Sequence, residues 1–255
     1  MNASLHVHRL GERSPTLVLL HGLSANGEVW AGVLERLAGW PGRIVVPDLR
    51  GHGRSPHAQT YTEVDHAADV AALLRQSGDT YVVGHSMGGM VALALSNGAY
   101  RLRIRGVFAF GVKTAWDEAE LAKLKAFADK PPKRFASRSE AADRFILGAG
   151  LAGLVDAHAA VVDAGIVRDG AGYRLAADPC TVLVAGASVA AAFNASRAPK
   201  RLACGRQDKL VTIDQLRTID PDAIDLGDCG HNVHVEDPGR LCDAISFLKA
   251  FVARS

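Results

Sequence analysis

The sequence predicts an α/β fold: a mostly parallel central sheet flanked by helices, with a helical segment inserted between two of its strands. Three observations carry this. Short apolar runs such as Thr16-Leu17-Val18-Leu19-Leu20 alternate with longer stretches of helical spacing, the rhythm of βαβ units. The run at 16–20 is apolar throughout, as a strand buried on both faces must be. The alternation stops between about residues 111 and 198, where helical spacing dominates, and then resumes. Residues 1–110 and 199–255 therefore read as one core, and 111–198 as a helical cap lying over it.

The elements follow in order. The strand at 16–20 ends in His21-Gly22-Leu23-Ser24, and a helix is expected over about 27–37, with Val29, Trp30, Val33, Leu34 and Leu37 at helical spacing. A second strand, 43–46, closes in Pro47-Asp48 and opens a Gly-rich loop, 49–55. Residues 62–76 read as an amphipathic helix, with Val64, Ala67, Ala68, Ala71 and Leu74 near one face. The β-branched run 80–83 is a strand, 87–95 a helix and 104–110 another strand. In the insertion, helices are expected near 117–128, 139–147 and 153–162, with part of 178–195 helical and no strands; Asp169-Gly170-Ala171-Gly172 is a turn. A strand at 200–205, a helix near 212–219 and a short strand at 223–226 resume the sheet. Asp237-Pro238 starts a last helix to about 253, with Leu241, Ile245, Leu248 and Val252 on one face.

Composition excludes several classes. The 255 residues are 48% hydrophobic and 22% charged, which suits a soluble globular domain. A net charge of +2 argues against nucleic-acid binding. The densest basic group, Pro131-Pro132-Lys133-Arg134, reads as a solvated loop. The first eight residues lack a signal-peptide core, and 181–195 is too short and too rich in Ala and Gly to span a bilayer, so a cytoplasmic protein without membrane insertion is expected. Cys180, Cys204, Cys229 and Cys242 fit no zinc spacing, and Cys204, in a core strand, reads as a buried free thiol. His231 and His234 lie three apart with no supporting carboxylate–histidine motif, so no metal site is expected.

One stretch carries chemistry. Gly84-His85-Ser86-Met87-Gly88 is G-x-S-x-G, set between the strand at 80–83 and the helix at 87–95, the context of a nucleophile elbow. A serine on so tight a turn projects its hydroxyl, and the flanking glycines remove colliding side chains. The backbone N–H of Met87, at the helix start, points where negative charge would develop on an attacked carbonyl. Carboxylates follow the later strands at Asp208, Asp225 and Asp228, and histidines follow the last strand at His231 and His234.

The chain resembles the α/β-hydrolase superfamily over almost its whole length. The matching stretches are His21-Gly22-Leu23, Asp48 to Ser55, Gly84 to Gly89, Gly205-Arg206-Gln207-Asp208 and Gly230-His231, in the order serine, aspartate, histidine. The resemblance implies an α/β-hydrolase fold with Ser86 as nucleophile, His231 as base and Asp208 as the acid that orients it. It places the histidine directly after glycine, which prefers His231 to His234. It also favours Asp208 over Asp225, Asp228 or Asp117. The oxyanion hole would use the backbone N–H groups of Leu23 and Met87. Asp48, His21, His52 and His85 are expected to be structural, or in the case of His21 and His85 pocket walls.

A serine at this position excludes relatives that use an aspartate nucleophile. Acyl transfer to water remains, with carboxylic ester hydrolysis through an acyl-enzyme first. Lactone, thioester and C–C bond cleavage on the same residues are alternatives. A non-catalytic small-molecule receptor is the alternative of another class. The substrate expected by resemblance is a small to medium, largely apolar ester, with Phe110, Trp116, Leu147 and Val211 as candidate pocket walls. No cofactor is implied, and the chain is expected to be a monomer or homodimer.

Overall fold

A computed structural model describes residues 4–246 and 248. In chain order its strands are β1 (Val7–Leu10), β2 (Thr16–Leu20), β3 (Arg43–Pro47), β4 (Asp79–His85), β5 (Arg103–Phe110), β6 (Ile166–Asp169), β7 (Gly172–Leu175), β8 (Lys200–Cys204) and β9 (Ile224–Asp225). Seven of them form one sheet in the order β1-β3-β2-β4-β5-β8-β9, while β6 and β7 pair separately. Every neighbouring pair in the large sheet is parallel except β1 with β3.

The strands sort their side chains by parity onto the two faces. Leu17, Leu19, Phe108 and Phe110 join one apolar layer, and Val18, Leu20, Val107 and Ala109 the other. The first layer is covered by α1 (Ala31–Arg36), which continues a 3-10 turn at Gly27–Trp30, and by Leu241 of a helix near the C-terminus. The second is covered by α2 (Glu63–Leu73) and α3 (Met87–Leu95). Every residue of α3 is buried, so this helix is apolar on all sides. On α2 the buried apolar stripe is Ala67, Val70, Ala71 and Leu74; Val64, expected on that face, is 55% exposed in the first turn at its margin.

Between β5 and β8 run α4 (Glu118–Ala128), α5 (Arg138–Gly148), α6 (Ala160–Gly165), the β6–β7 hairpin, a 3-10 helix (Pro179–Val184) and α7 (Val189–Ala195). The hairpin corrects the all-helical reading of this stretch. Its strands are half-buried and carry Arg168, Asp169 and Arg174, so they lack an apolar run; the predicted turn is its two-residue loop, Gly170-Ala171. The helix expected at 153–162 starts only at Ala160; turns precede it, with Gly153 at φ 78 and Asp156 Oδ1 accepting from His158 N. The inserted segment is fastened to loops at the carboxyl ends of the strands. Asn26 Nδ2 donates to Val161 O at 2.8 Å, Asp178 N to Gly51 O at 2.9 Å and Asn232 Nδ2 to Gly150 O at 2.9 Å.

Toward the C-terminus lie α8 (Ile213–Arg217), the single-turn α9 (Val233–Glu236) and α10 (Pro238–Ala244). Leu241, Ile245 and Leu248 of the expected final helix are buried, while Val252 and Ala253 fall outside the described residues. Two further elements escaped the sequence reading. β1 is an edge strand with three exposed residues of four, and α9 is a single turn. No helix among the described residues is long and apolar enough to cross a membrane.

Candidate active site

Ser86 sits between β4 and α3 with φ 51 and ψ −114, a conformation costing a non-glycine residue about 1–3 kcal/mol. The neighbours hold it there. Ser86 N donates to Phe110 O at 2.8 Å, and Ser86 O accepts from Gly89 N at 2.9 Å. The glycines are required by contact: a Cβ on Gly84 would stand 2.2 Å from Gly88 O, and one on Gly88 would stand 2.3 Å from Leu20 O. Strand and helix therefore meet backbone to backbone, and the serine is left projecting from the crest.

The loops after β8 and β9 interlock in the same way. A Cβ on Gly205 would fall 2.1 Å from Cys229 O, and Gln207 N donates to Cys229 O at 2.9 Å. This brings Asp208 Oδ2 to 2.9 Å from His231 Nδ1. Asp208 Oδ1 accepts from Leu210 N at 2.8 Å, and the carboxylate is fully shielded from solvent. A carboxylate only accepts, so the proton of neutral His231 resides on Nδ1 and Nε2 keeps its lone pair. Two further groups fix the His231 loop. Glu236 accepts from Gly230 N at 2.6 Å and from Asn232 N at 3.0 Å, and His85 Nε2–H donates to His231 O at 3.0 Å.

The competing residues stand elsewhere. His234 is wholly buried between Trp30, His85 and Phe110, and neither ring nitrogen has a hydrogen-bond partner. Burial lowers its pKa to about 3. Asp225 and Asp228 both engage Arg206, at 3.0 and 2.8 Å, and Asp117 caps α4.

A small cavity of about 70 Å3 opens at Ser86, and Leu23 and Met87 line it beside the serine. The four proposed wall residues separate. Trp116 lines this cavity, and its ring carries Lys113 Nζ 4.3 Å from the centroid. Phe110 is completely buried in the core beneath the elbow, because Gly111, at φ 65, turns the chain so that Val112 faces the cavity instead. Val211 is buried in the opposite core layer. Leu147 is 64% exposed on α5. Residues 184–187 supply wall that no sequence signal marked.

The remaining motif residues hold loops. Asp48 Oδ1 accepts from Gly27 N at 2.6 Å and Oδ2 from Arg54 N at 2.8 Å. His21 Nδ1–H donates to Gly22 O at 2.8 Å while Nε2 accepts from Leu49 N at 2.9 Å, which ties the Leu23 loop to the next one. Burial lowers the pKa of His21 to about 4 and that of His52 to about 3, and holds His85 well below the usual histidine value. Cys204 is buried with its thiol pushed up to about 12 by desolvation. Among the described residues no three His, Cys, Asp or Glu side chains gather as a metal site.

Comparison with known proteins adds the following. A family model described as "Alpha/beta hydrolase family" matches residues 17–244. Lipase LipV of Mycobacterium tuberculosis is 43% identical over 99 residues, 38% of this chain and 37% of that protein. A pimeloyl-[acyl-carrier protein] methyl ester esterase of Vibrio vulnificus is 33% identical over 150 residues, covering 55% of each chain. The matches thus span about a third to a half of these curated relatives. Among solved structures, E-2-(acetamidomethylene)succinate hydrolase superposes with a TM-score of 0.80 at 23% identity, over 96% of this chain and 95% of that one.

Proposed function

The chain belongs to the alpha/beta hydrolase family, and from that premise we propose that it is a serine hydrolase cleaving carboxylic esters through a covalent acyl-enzyme. The observation that carries the reading is the 2.9 Å bond between Asp208 and His231, in a chain whose Ser86 is held at positive φ on a strand-to-helix turn. The relatives named lipase and methyl ester esterase support the choice of bond.

In this reading His231 Nε2 takes the proton of Ser86 Oγ as the oxygen attacks the ester carbonyl. The carbonyl oxygen becomes an oxyanion, received by the backbone N–H groups of Leu23 and Met87. Met87 is the first residue of α3, whose leading N–H groups have no partner within the helix. As the tetrahedral intermediate collapses, His231 returns the proton to the departing alcohol. Water then attacks the acyl-enzyme with His231 again as base, and the acid is released with Ser86 restored. Asp208 fixes the tautomer and stabilises the imidazolium. The segment 111–198 acts as a cap, since Val112, Lys113, Trp116 and residues 184–187 wall the cavity at Ser86.

The test is intact mass after a fluorophosphonate probe, with peptide mapping, beside a panel of p-nitrophenyl esters. One adduct on Ser86 with ester turnover is expected. An adduct without turnover of any ester would redirect the reading to C–C cleavage. No adduct and no turnover would refute it in favour of a receptor.

A further inference from the structure

A second cavity, of about 250 Å3, is lined in part by residues next in sequence to those of the small one at Ser86. No residue lines both, but their walls come from neighbouring positions of the chain. Leu23 lines the smaller and Ser24 the larger; Val184 lines the smaller and Val182 the larger, two residues away at the end of one 3-10 helix. Ser24, at φ 65, makes the sharp turn that presents consecutive residues to both. The body of the larger cavity is apolar, walled by Phe127, Phe135, Leu175 and Val182. Phe127 is 41% exposed, a large apolar side chain open to solvent at this wall.

The edge of this cavity is basic. Lys130, Lys133 and Arg144 line it, and Lys133 Nζ stands 5.2 Å from the centroid of the Phe135 ring. Their neighbours Lys113, Arg134 and Arg138 each pair with a carboxylate, whereas these three are in no ion pair among the described residues. The one carboxylate among the lining residues, Asp178, is engaged elsewhere. It accepts from the Tyr61 hydroxyl at 2.6 Å and from Cys180 N at 2.9 Å, and lies 3.4 Å from His57. The basic group at 131–134 is an exposed loop, as its composition predicts, and its Pro131, Pro132 and Lys133 also line the chamber.

We propose that this chamber binds the apolar, negatively charged tail of the substrate, so that preferred substrates are esters bearing a carboxylate at the far end of an apolar chain. The ester lies at Ser86 in the small cavity, and the chain passes the Leu23-Ser24 turn. Burying each methylene is worth about fourfold in affinity. An exposed cation adds up to about fivefold for an anion, and Lys133 with Arg144 together add about tenfold. The assignment of the occupant as substrate rests on the hydrolase reading above.

Two measurements test it. In the wild-type protein, kcat/KM for the mono-p-nitrophenyl ester of suberic acid is compared with that for p-nitrophenyl octanoate. The anionic ester is expected to be preferred, with the ratio falling about tenfold in the double variant Lys133→Ala, Arg144→Ala and kept in Lys133→Arg. In Ser86→Ala protein, calorimetry is expected to show octanoate binding at least about fivefold tighter than octanamide, with the gap closing in high salt. Turnover of both esters with no charge preference, or a preference that the double variant leaves unmoved, overturns the chamber assignment while leaving the hydrolase standing. Octanoate preference without turnover of any ester supports the anionic chamber and overturns the hydrolase reading instead.

Discussion

His234 offers a stability measurement with a worked magnitude. Its ring is fully buried against Trp30 at 4.7 Å, His85 at 4.5 Å and Phe110 at 5.4 Å, with both nitrogens unpartnered. Burial, assisted by the nearby His231 and His21, lowers its pKa from 6.5 to about 3. Between those values the unfolded chain binds a proton that the folded chain refuses, so stability rises with pH across the window and is lost as pH falls below 6.5. From about pH 7.5 to pH 5 the unfolded imidazole gains nearly a full proton and the folded one almost none, which integrates to about 2 kcal/mol. The figure needs only a folded pKa below about 4. His234→Leu deletes this linkage together with two desolvated nitrogens. At pH 7.5 the variant is expected within about 1.5 kcal/mol of wild type, since the lost polar atoms had no partners to strand. Urea unfolding at the two pH values reads the outcome: wild type should lose about 2 kcal/mol more than the variant on acidification. His21, His52, His66 and His85 are also held neutral by burial and contribute their own losses to both proteins, so the difference isolates His234. Equal losses in the two proteins would show that the ring is hydrated or paired in solution and would refute the reasoning.

Other outcomes follow from the same geometry. Ser86→Ala should abolish ester turnover and fluorophosphonate labelling while the protein stays folded, as circular dichroism would check. Asp208→Asn should lower kcat about 10⁴-fold, because an amide at the 2.9 Å contact no longer enforces the Nδ1–H tautomer; steady-state kinetics reads this. Glu236→Gln leaves one acceptor for the two N–H groups of Gly230 and Asn232, so about tenfold should be lost from kcat with little change in KM. Asp48→Asn places an NH2 group against the N–H of Gly27 or Arg54, costing about 1–3 kcal/mol in denaturant unfolding.

The parts of this molecule that were legible in the sequence are those where the backbone sets the demand. Strand segments buried on both faces must be apolar, so β2, β3, β4 and the buried ends of β5 and β8 announced themselves. The glycines at 84, 88 and 205 stand where one chain segment touches another's carbonyl, a requirement almost independent of the side chains around it. β1 and the β6–β7 hairpin were silent because their strands bury too little to need an apolar pattern. Of the proposed wall residues Trp116 does line the cavity, and Phe110 missed it for a different reason. Phe110 ends a strand that leads to the site, but one left-handed glycine after it reverses which residue faces the cavity, and the spacing of apolar residues does not record that turn.

Glu236 shows where local reading must stop. It reaches back from α9 to hold the backbone on both sides of His231, yet in sequence it is one acidic residue in a short polar stretch. Its placement depends on α9 forming a single turn directly after the histidine, and that turn is itself stabilised by burial of Val233 and His234. The unpartnered, neutral His234 is thus part of the support for His231 although it takes no proton in the proposed reaction. Acidification that charges His234 should loosen this turn and release Glu236 from its two N–H partners. The His234→Leu variant tests this: it is expected to keep ester turnover after an acid exposure that inactivates the wild type, and equal loss in the two proteins would refute the link.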